Sequence, residues 1–391
     1  MVKTGLEILA SEPRRWLPRG ARVGLLLNPA SLDSRLAWSR DVLREAIGGD
    51  LGALFSPQHG IFSDVQDNMV ESRHGRDRRT GLPVWSLYSE TRKPTGEMLD
   101  GIDVLVADLQ DVGTRVYTFV WTLRLVMEAC GERGVRVVVL DRPNPLGGAA
   151  VEGNRLVPEC ASFVGLDPVP MRHGMTPGEL ALWFRGERGV SCELSVVPLE
   201  GWRREMLWPE TGLPWVMPSP NMPVFETALV YPGTVLFEGT TASEGRGTTR
   251  PFEIVGGPWV DGEALAEELR RTPLPGAVFR PVGFQPTFQK WAGRPCGGVQ
   301  IHVTEPRAYR PYRTGIALLG LLWRRYRSTG FGWREPPYEY EKERLPINLL
   351  LGDERVREEL EAGCTAEELE SGWAEGLSAW EEERAPYLLY G

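Results

Sequence analysis

Residues 238–253 hold three carboxylates (Glu238, Glu244, Glu253) and two guanidiniums (Arg246, Arg250) within sixteen positions. They close a stretch, 214–253, rich in Pro, Gly, Thr, Glu and Arg around one short apolar run, Thr227–Leu236, broken by Pro232-Gly233. No helical or strand period runs through it, so it reads as a long ordered loop, a kind of segment that often carries function. Glu244 stands in Ser-Glu-Gly-Arg-Gly-Thr-Thr, where the glycines on either side of Arg246 let the backbone approach a ligand closely. A paired-carboxylate hydrolase needs one acid held protonated and a second held ionised. Asp108 and Asp111, with Arg115 close behind, are the matching candidates, so that Glu244 and one aspartate would face each other from the two halves of the chain. The plainer roles for these residues are a solvated loop, a helix cap and a loop anchor.

His59, in a Pro-Gln-His-Gly turn, is a third catalytic candidate. His173 precedes a helix start and is a positioning candidate, since a helix N-terminus favours anions. The four histidines show neither HxH nor HExxH spacing, so no metal is expected. Tryptophans at 202, 208, 215, 259 and 291 offer faces for a sugar, although most tryptophans fill cores.

The elements that must hold these groups alternate over the first 150 residues. Apolar runs at 22–27, 51–55, 83–88, 103–109 and 135–140 read as strands, and 35–47, 95–100 and 117–133 as helices. This is the pattern of an α/β fold: a Rossmann-like, mainly parallel sheet covered on both faces. Ligands of such sheets bind outside the carboxyl ends of the strands, where Asn28, Gln58, His59, Asp108, Asp111, Arg142 and Asn144 gather. Neither GxGxxG nor GxxxxGK[ST] follows a strand, which argues against a nucleotide or dinucleotide cofactor, and none is expected. After Gly148 the alternation breaks down. Thr176-Pro-Gly-Glu opens a helix to about 185, 299–303 alternates like a strand, 314–327 has a helical stripe, and Thr365 opens a last helix to about 383. Residues 1–150 are therefore expected to form the Rossmann-like domain, and 151–391 a loop-rich α+β domain that carries 214–253.

Composition excludes several classes. The chain of 391 residues is 42% hydrophobic and 25% charged, as a globular protein is. Its net charge of −9 is the wrong sign for a nucleic-acid-binding face. No apolar run reaches the roughly 18 residues that span a bilayer. Five scattered cysteines without CxxC spacing read as free thiols, and with no signal-peptide pattern at the start they point to the cytoplasm.

The motifs LDRPNPLGG (140–148), HGMTPGELA (173–181), TGLPWVMPSPNMP (211–223), ETALVYPGTVLFEGTTASEGRGTTRPFE (226–253) and DLQDVGTRVYTF (108–119) resemble the exo-β-N-acetylmuramidase family, NamZ-type, glycoside hydrolase family 171. The resemblance runs from the first strand to the closing YLLY. It implies a Rossmann-like domain, a second domain and a site in the cleft between them. It also implies release of N-acetylmuramic acid (MurNAc) from the non-reducing end of peptidoglycan fragments, in cell-wall turnover or recycling. Glu244, Asp111, Asp108 and His59 are then the catalytic candidates. Gln58, Arg115, Tyr117, Arg142, Asn144, His173, Asn221, Arg246 and Arg250 are the substrate-binding candidates, the arginines for the lactyl carboxylate of the sugar. The family commonly has Pro-Glu-His-Gly where this chain has Pro-Gln58-His-Gly. An amide is neither a general acid nor a nucleophile, so a substrate-assisted route, with Gln58 and Asn221 as positioning groups, enters the reading. So does a non-catalytic muropeptide- or sugar-binding protein.

Overall fold

The computed structural model describes residues 1–63, 66 and 69–391. Its centre is a seven-stranded sheet of β1 (Val23–Leu27), β2 (Leu51–Ser56), β3 (Gly75–Arg76), β4 (Pro83–Ser86), β5 (Val104–Asp108), β6 (Arg136–Leu140) and, past a two-stranded ribbon of β7 (Glu152–Arg155) and β8 (Pro170–Arg172), β9 (Leu194–Val197). The spatial order is β3-β4-β2-β1-β5-β6-β9, parallel except for the β3–β4 pair. β1 and β5 are buried along their whole length, as continuous apolar strands in a doubly covered sheet must be. Helices Ser39–Ile47 and Phe119–Arg133 end on Gly48 and Gly134 in the left-handed conformation, and Thr176 caps Pro177–Gly186 through a capping box with Glu179. The sheet takes its last strand from 194–197, so its layer extends past residue 150.

The rest of the chain builds a three-stranded antiparallel sheet, order β10 (Ile254–Gly257), β12 (Cys296–Val303), β11 (Ala277–Phe284), and a set of helices. Among the described residues no helix is long and apolar enough to cross a membrane.

Two expectations change. The stretch 214–253 is not a loop throughout: Phe225–Thr234 is a helix that contains Pro232 and continues into a 3-10 turn, Val235–Gly239. The amphipathic period is missing because nearly every residue of both elements is buried, so no polar face exists to reveal it. The helix packs so closely on Pro311–Tyr326 that a Cβ at Gly233 would lie 2.0 Å from the Pro311 carbonyl oxygen. The expected last helix is two, Ala366–Gly372 and Ala374–Arg384, meeting at Trp373.

Candidate active site

Side chains from distant parts of the chain converge on one polar pocket. Gln58, His59, Tyr117, Thr118, Ser219 and Asn221 line it from the N-terminal part, and Tyr231, Glu238, Arg246, Tyr338 and Glu339 from the C-terminal part. Gln58 and His59 follow β2, and His59 turns there with φ 71°. Glu238 lies in the buried 3-10 turn after helix Phe225–Thr234. Tyr338 and Glu339 come from a tight turn closed by two Tyr338–Glu341 backbone hydrogen bonds of 2.9 Å. Its central residues Glu339 and Tyr340 have φ of 46° and 71°, left-handed values that cost a non-glycine residue on the order of 1–3 kcal/mol and collect at functional sites.

The pocket holds two buried carboxyl groups in opposite environments. Burial works against the charge of Glu238, yet the Arg246 guanidinium at 2.6 Å and the Tyr338 hydroxyl at 2.7 Å hold it below the usual carboxylate range. Arg246 also lies 3.3 Å from Glu244, which pairs with Lys290 at 2.6 Å. Glu339 has no ion-pair partner among the described residues. Burial pushes its carboxyl up to about 7, although it accepts hydrogen bonds from the Tyr88 hydroxyl at 2.6 Å and the Gln58 amide at 3.1 Å. The Thr118 hydroxyl donates to the Gln58 carbonyl oxygen at 2.8 Å, which fixes the amide so that its N–H faces Glu339. Near neutrality the pocket thus presents one ionised carboxylate and one carboxyl that can carry a proton. The open space is about 40 Å³, room for a few water molecules and not for a sugar ring.

Of the residues expected from sequence, Gln58, His59, Tyr117, Asn221 and Arg246 line this pocket. Glu244 does not; it stands behind Arg246, and its pairing with Lys290 fastens the loop, whose carbonyls at 237, 240 and 242 also accept from the Lys290 ammonium. Asp108 is bound bidentately by Arg142, at 2.6 and 2.9 Å, with both side chains buried. Asp111 accepts from the Gly113 N–H at 2.6 Å and lies 3.5 Å from Nε2 of His173, whose Nδ1 accepts from the Met175 N–H. Asn144 accepts from the Leu146 N–H and donates to the Met175 carbonyl. Fully buried Arg115 donates to the carbonyls of Asn154, Val169, Leu350 and Leu351, tying both parts of the chain together. Arg250 is half exposed and pairs with Glu253 at 3.3 Å.

The expected pairing of Glu244 with Asp108 or Asp111 is therefore not what the pocket presents. The sheet reverses its winding between β1 and β5, the usual ligand crevice of such folds. Here the crevice is filled from within: Asn28 bonds Ser31 and Gln110, and Ser31 bonds the Asp108 carbonyl. The pocket's own acids were poorly marked. Glu238 was only one of three carboxylates in its stretch, and Glu339 sits in a charged, unpatterned run, Tyr-Glu-Tyr-Glu-Lys-Glu, 281 residues from Gln58. Among the described residues no group of three or more His, Cys, Asp or Glu side chains is arranged to hold a metal ion.

Fold and site together define a glycosidase-like α/β protein, with a mostly parallel sheet, a second antiparallel sheet and a two-carboxyl pocket shared by both parts of the chain. Residues 23–226 match the family model of the exo-β-N-acetylmuramidase NamZ N-terminal domain, and residues 229–390 that of its C-terminal domain. The chain belongs to the NamZ family of exo-β-N-acetylmuramidases. It is 42% identical over 390 residues to the peptidoglycan β-N-acetylmuramidase NamZ of Bacillus subtilis strain 168, covering 100% of this chain and 91% of that protein. Two crystal structures of DUF1343 family proteins from Bacteroides fragilis NCTC 9343 are similar over the full chain and 99% of theirs. One has a TM-score of 0.89 at 34% identity, the other 0.78 at 28%. The pocket draws its lining from both matched segments.

Proposed function

We propose that this protein is an exo-β-N-acetylmuramidase that releases MurNAc from the non-reducing end of peptidoglycan fragments, and that the pocket of Glu238 and Glu339 receives the sugar. The observation that carries this reading is the pair of buried carboxyls in one pocket, one charged against Arg246 and one without a cation. Glycoside hydrolysis asks for such a pair. Whole-length relatedness to a peptidoglycan β-N-acetylmuramidase supports the substrate class. Five free cysteines support the expectation of a reducing, cytoplasmic setting in which wall fragments are recycled. Because the open space is small, the sugar enters as the Tyr338–Glu341 turn lifts and then settles back with Glu339 again on Gln58 and Tyr88; in the closed state Tyr340 packs that turn against the Arg92 guanidinium and Tyr88.

The test is incubation with MurNAc-β-1,4-GlcNAc, with products separated and identified by mass. Free MurNAc and GlcNAc are expected. Calorimetric binding of the disaccharide without cleavage would instead support a sugar-binding protein, the reading that Gln58 raised.

A further inference from the structure

We propose that Glu339 is the general acid of this pocket, aimed by Gln58 and Tyr88 as positioning residues, and that it protonates the glycosidic oxygen of the leaving sugar. The inference rests on the muramidase reading and deepens it.

Glu339 meets the geometric demands on such an acid. It lines the pocket, is 5% exposed, and has one donor on each carboxyl oxygen. The donors come from separate parts of the sheet layer, Gln58 after β2 and Tyr88 after β4, so the carboxyl is gripped from two directions. Gln58 is itself locked by Thr118, which makes it a fixed amide and not a swinging one. Among the described residues no cation forms an ion pair with Glu339: Arg246, whose charge pulls its carboxyl down, is bonded to Glu238 and lies beside Glu244, and Arg92 lies over the Tyr340 ring. An unpaired buried carboxyl keeps its proton more readily than a paired one. Among the described residues the other titratable or charged groups around it are Tyr88 and Arg92 after β4, Tyr231 of the buried helix, Glu238, neighbouring Tyr338, and His59 of the same pocket. Of the acids, Glu238 is already charged, and its field opposes ionisation of Glu339. Environments that drive two carboxyls apart assign the roles of acid and charged partner.

In the step, the Glu339 proton moves to the bridging oxygen while the bond from that oxygen to the anomeric carbon breaks. The electron pair stays on the oxygen, and the next sugar leaves as an alcohol. One water supplies a hydroxyl to the anomeric carbon and a proton that restores the carboxyl, so only water is consumed. Glu238 supplies negative charge near an oxocarbenium-like transition state.

The experiment compares two substrates: MurNAc-β-1,4-GlcNAc, whose leaving sugar needs a proton, and a dinitrophenyl β-N-acetylmuramide, whose phenolate does not. Glu339→Gln is expected to lose about 10²- to 10⁴-fold on the disaccharide and under about tenfold on the aryl glycoside. The acid acts protonated, so wild-type kcat/KM on the disaccharide falls as pH rises through about 7. Gln58→Leu and Tyr88→Phe each remove a donor that favours the charged form, and each is expected to move that fall upward by about one pH unit. A merely structural role would lower activity at every pH without moving the profile. Equal losses of Glu339→Gln on both substrates, an undiminished disaccharide rate, or an unmoved profile in both donor variants overturns the assignment. If wild-type protein cleaves neither substrate, the muramidase reading itself fails; if it cleaves both and Glu339→Gln treats them alike, only the acid is misassigned.

Discussion

Two sets of buried acids lie in this molecule, one on the rim of the parallel sheet and one in the pocket, and they differ in how completely their neighbours answer them. On the rim, Asp108 takes a bidentate guanidinium, and Asp141 accepts from the N–H groups of Arg142 and Gly178 and the hydroxyls of Thr176 and Tyr390. These partners come from the same layer and from the C-terminal tail folded onto it. They leave neither Asp108 nor Asp141 facing open space, so this part of the rim is a joint, although Asp111 beside it keeps one buried oxygen, Oδ1, without a hydrogen-bond partner among the described residues. In the pocket, Glu238 is charged, and Glu339, which like Asp141 has no ion pair among the described residues, lines open space with only one donor on each oxygen against the four donors on Asp141. An acid at a strand end is thus a weak sign of chemistry, and a buried acid whose pairing is incomplete is a stronger one.

The sharpest way to break this contrast is Asp108→Ala. It would leave Arg142 buried and uncompensated, at a cost of about 3–5 kcal/mol in chemical denaturation. A variant that unfolds like wild type yet has lost turnover would return the chemistry to the rim. Next in size is Glu238→Gln. Arg246 keeps Glu244 as a partner, so the fold should hold, while turnover of the muramyl disaccharide falls about 100-fold, roughly 2.7 kcal/mol in the barrier. Full activity there would remove Glu238 from the reaction.

Tyr390→Phe probes the rim more gently. Burial pushes the Asp141 carboxyl up to about 7, and the Tyr390 hydroxyl at 2.5 Å is one of the groups that pull it down. A carboxyl raised by folding contributes stability at low pH that is lost as pH climbs from the unfolded value toward 7. Removing the donor raises the folded value further. The variant should therefore lose about 1–3 kcal/mol above pH 7 and less near pH 5, read from unfolding midpoints at both pH values. An equal loss at both would mean that Asp141 does not titrate there. The smallest effect belongs to Arg250→Ala: the guanidinium is half exposed and 3.3 Å from a buried Glu253 that keeps the Thr227 hydroxyl as a donor, so the loss is about 0–1 kcal/mol, with unchanged KM for the disaccharide. A raised KM would extend the sugar site to the outer loop.

The alternation of apolar runs was enough to place β1, β2, β5 and β6 within a residue or two, because a doubly covered parallel strand is continuously apolar and its ends are marked by turn formers. The Thr176 and Thr365 helix starts were equally legible, since a capping box is complete within four residues. The helix Phe225–Thr234 was not: burial on all sides erases the period, and Pro232 argues locally against a helix. Of the pocket, Gln58, His59 and Arg246 were within reach because a turn or a glycine-rich run marks their surroundings, and Tyr117 and Asn221 only through the motifs that carry the family resemblance. Glu339 was invisible, since nothing about a glutamate in a charged run distinguishes a buried acid from a solvated one.

Local chemistry along the chain determined the α/β class, the strands, the capped helices and the family to which the motifs point, because each depends on neighbours a few residues apart. Only the tertiary structure decided which acids are free to react. Charge state is set by burial and by partners hundreds of residues distant, as when Gln58 meets Glu339 and Arg115 meets Leu350, and no spacing along a chain encodes those meetings.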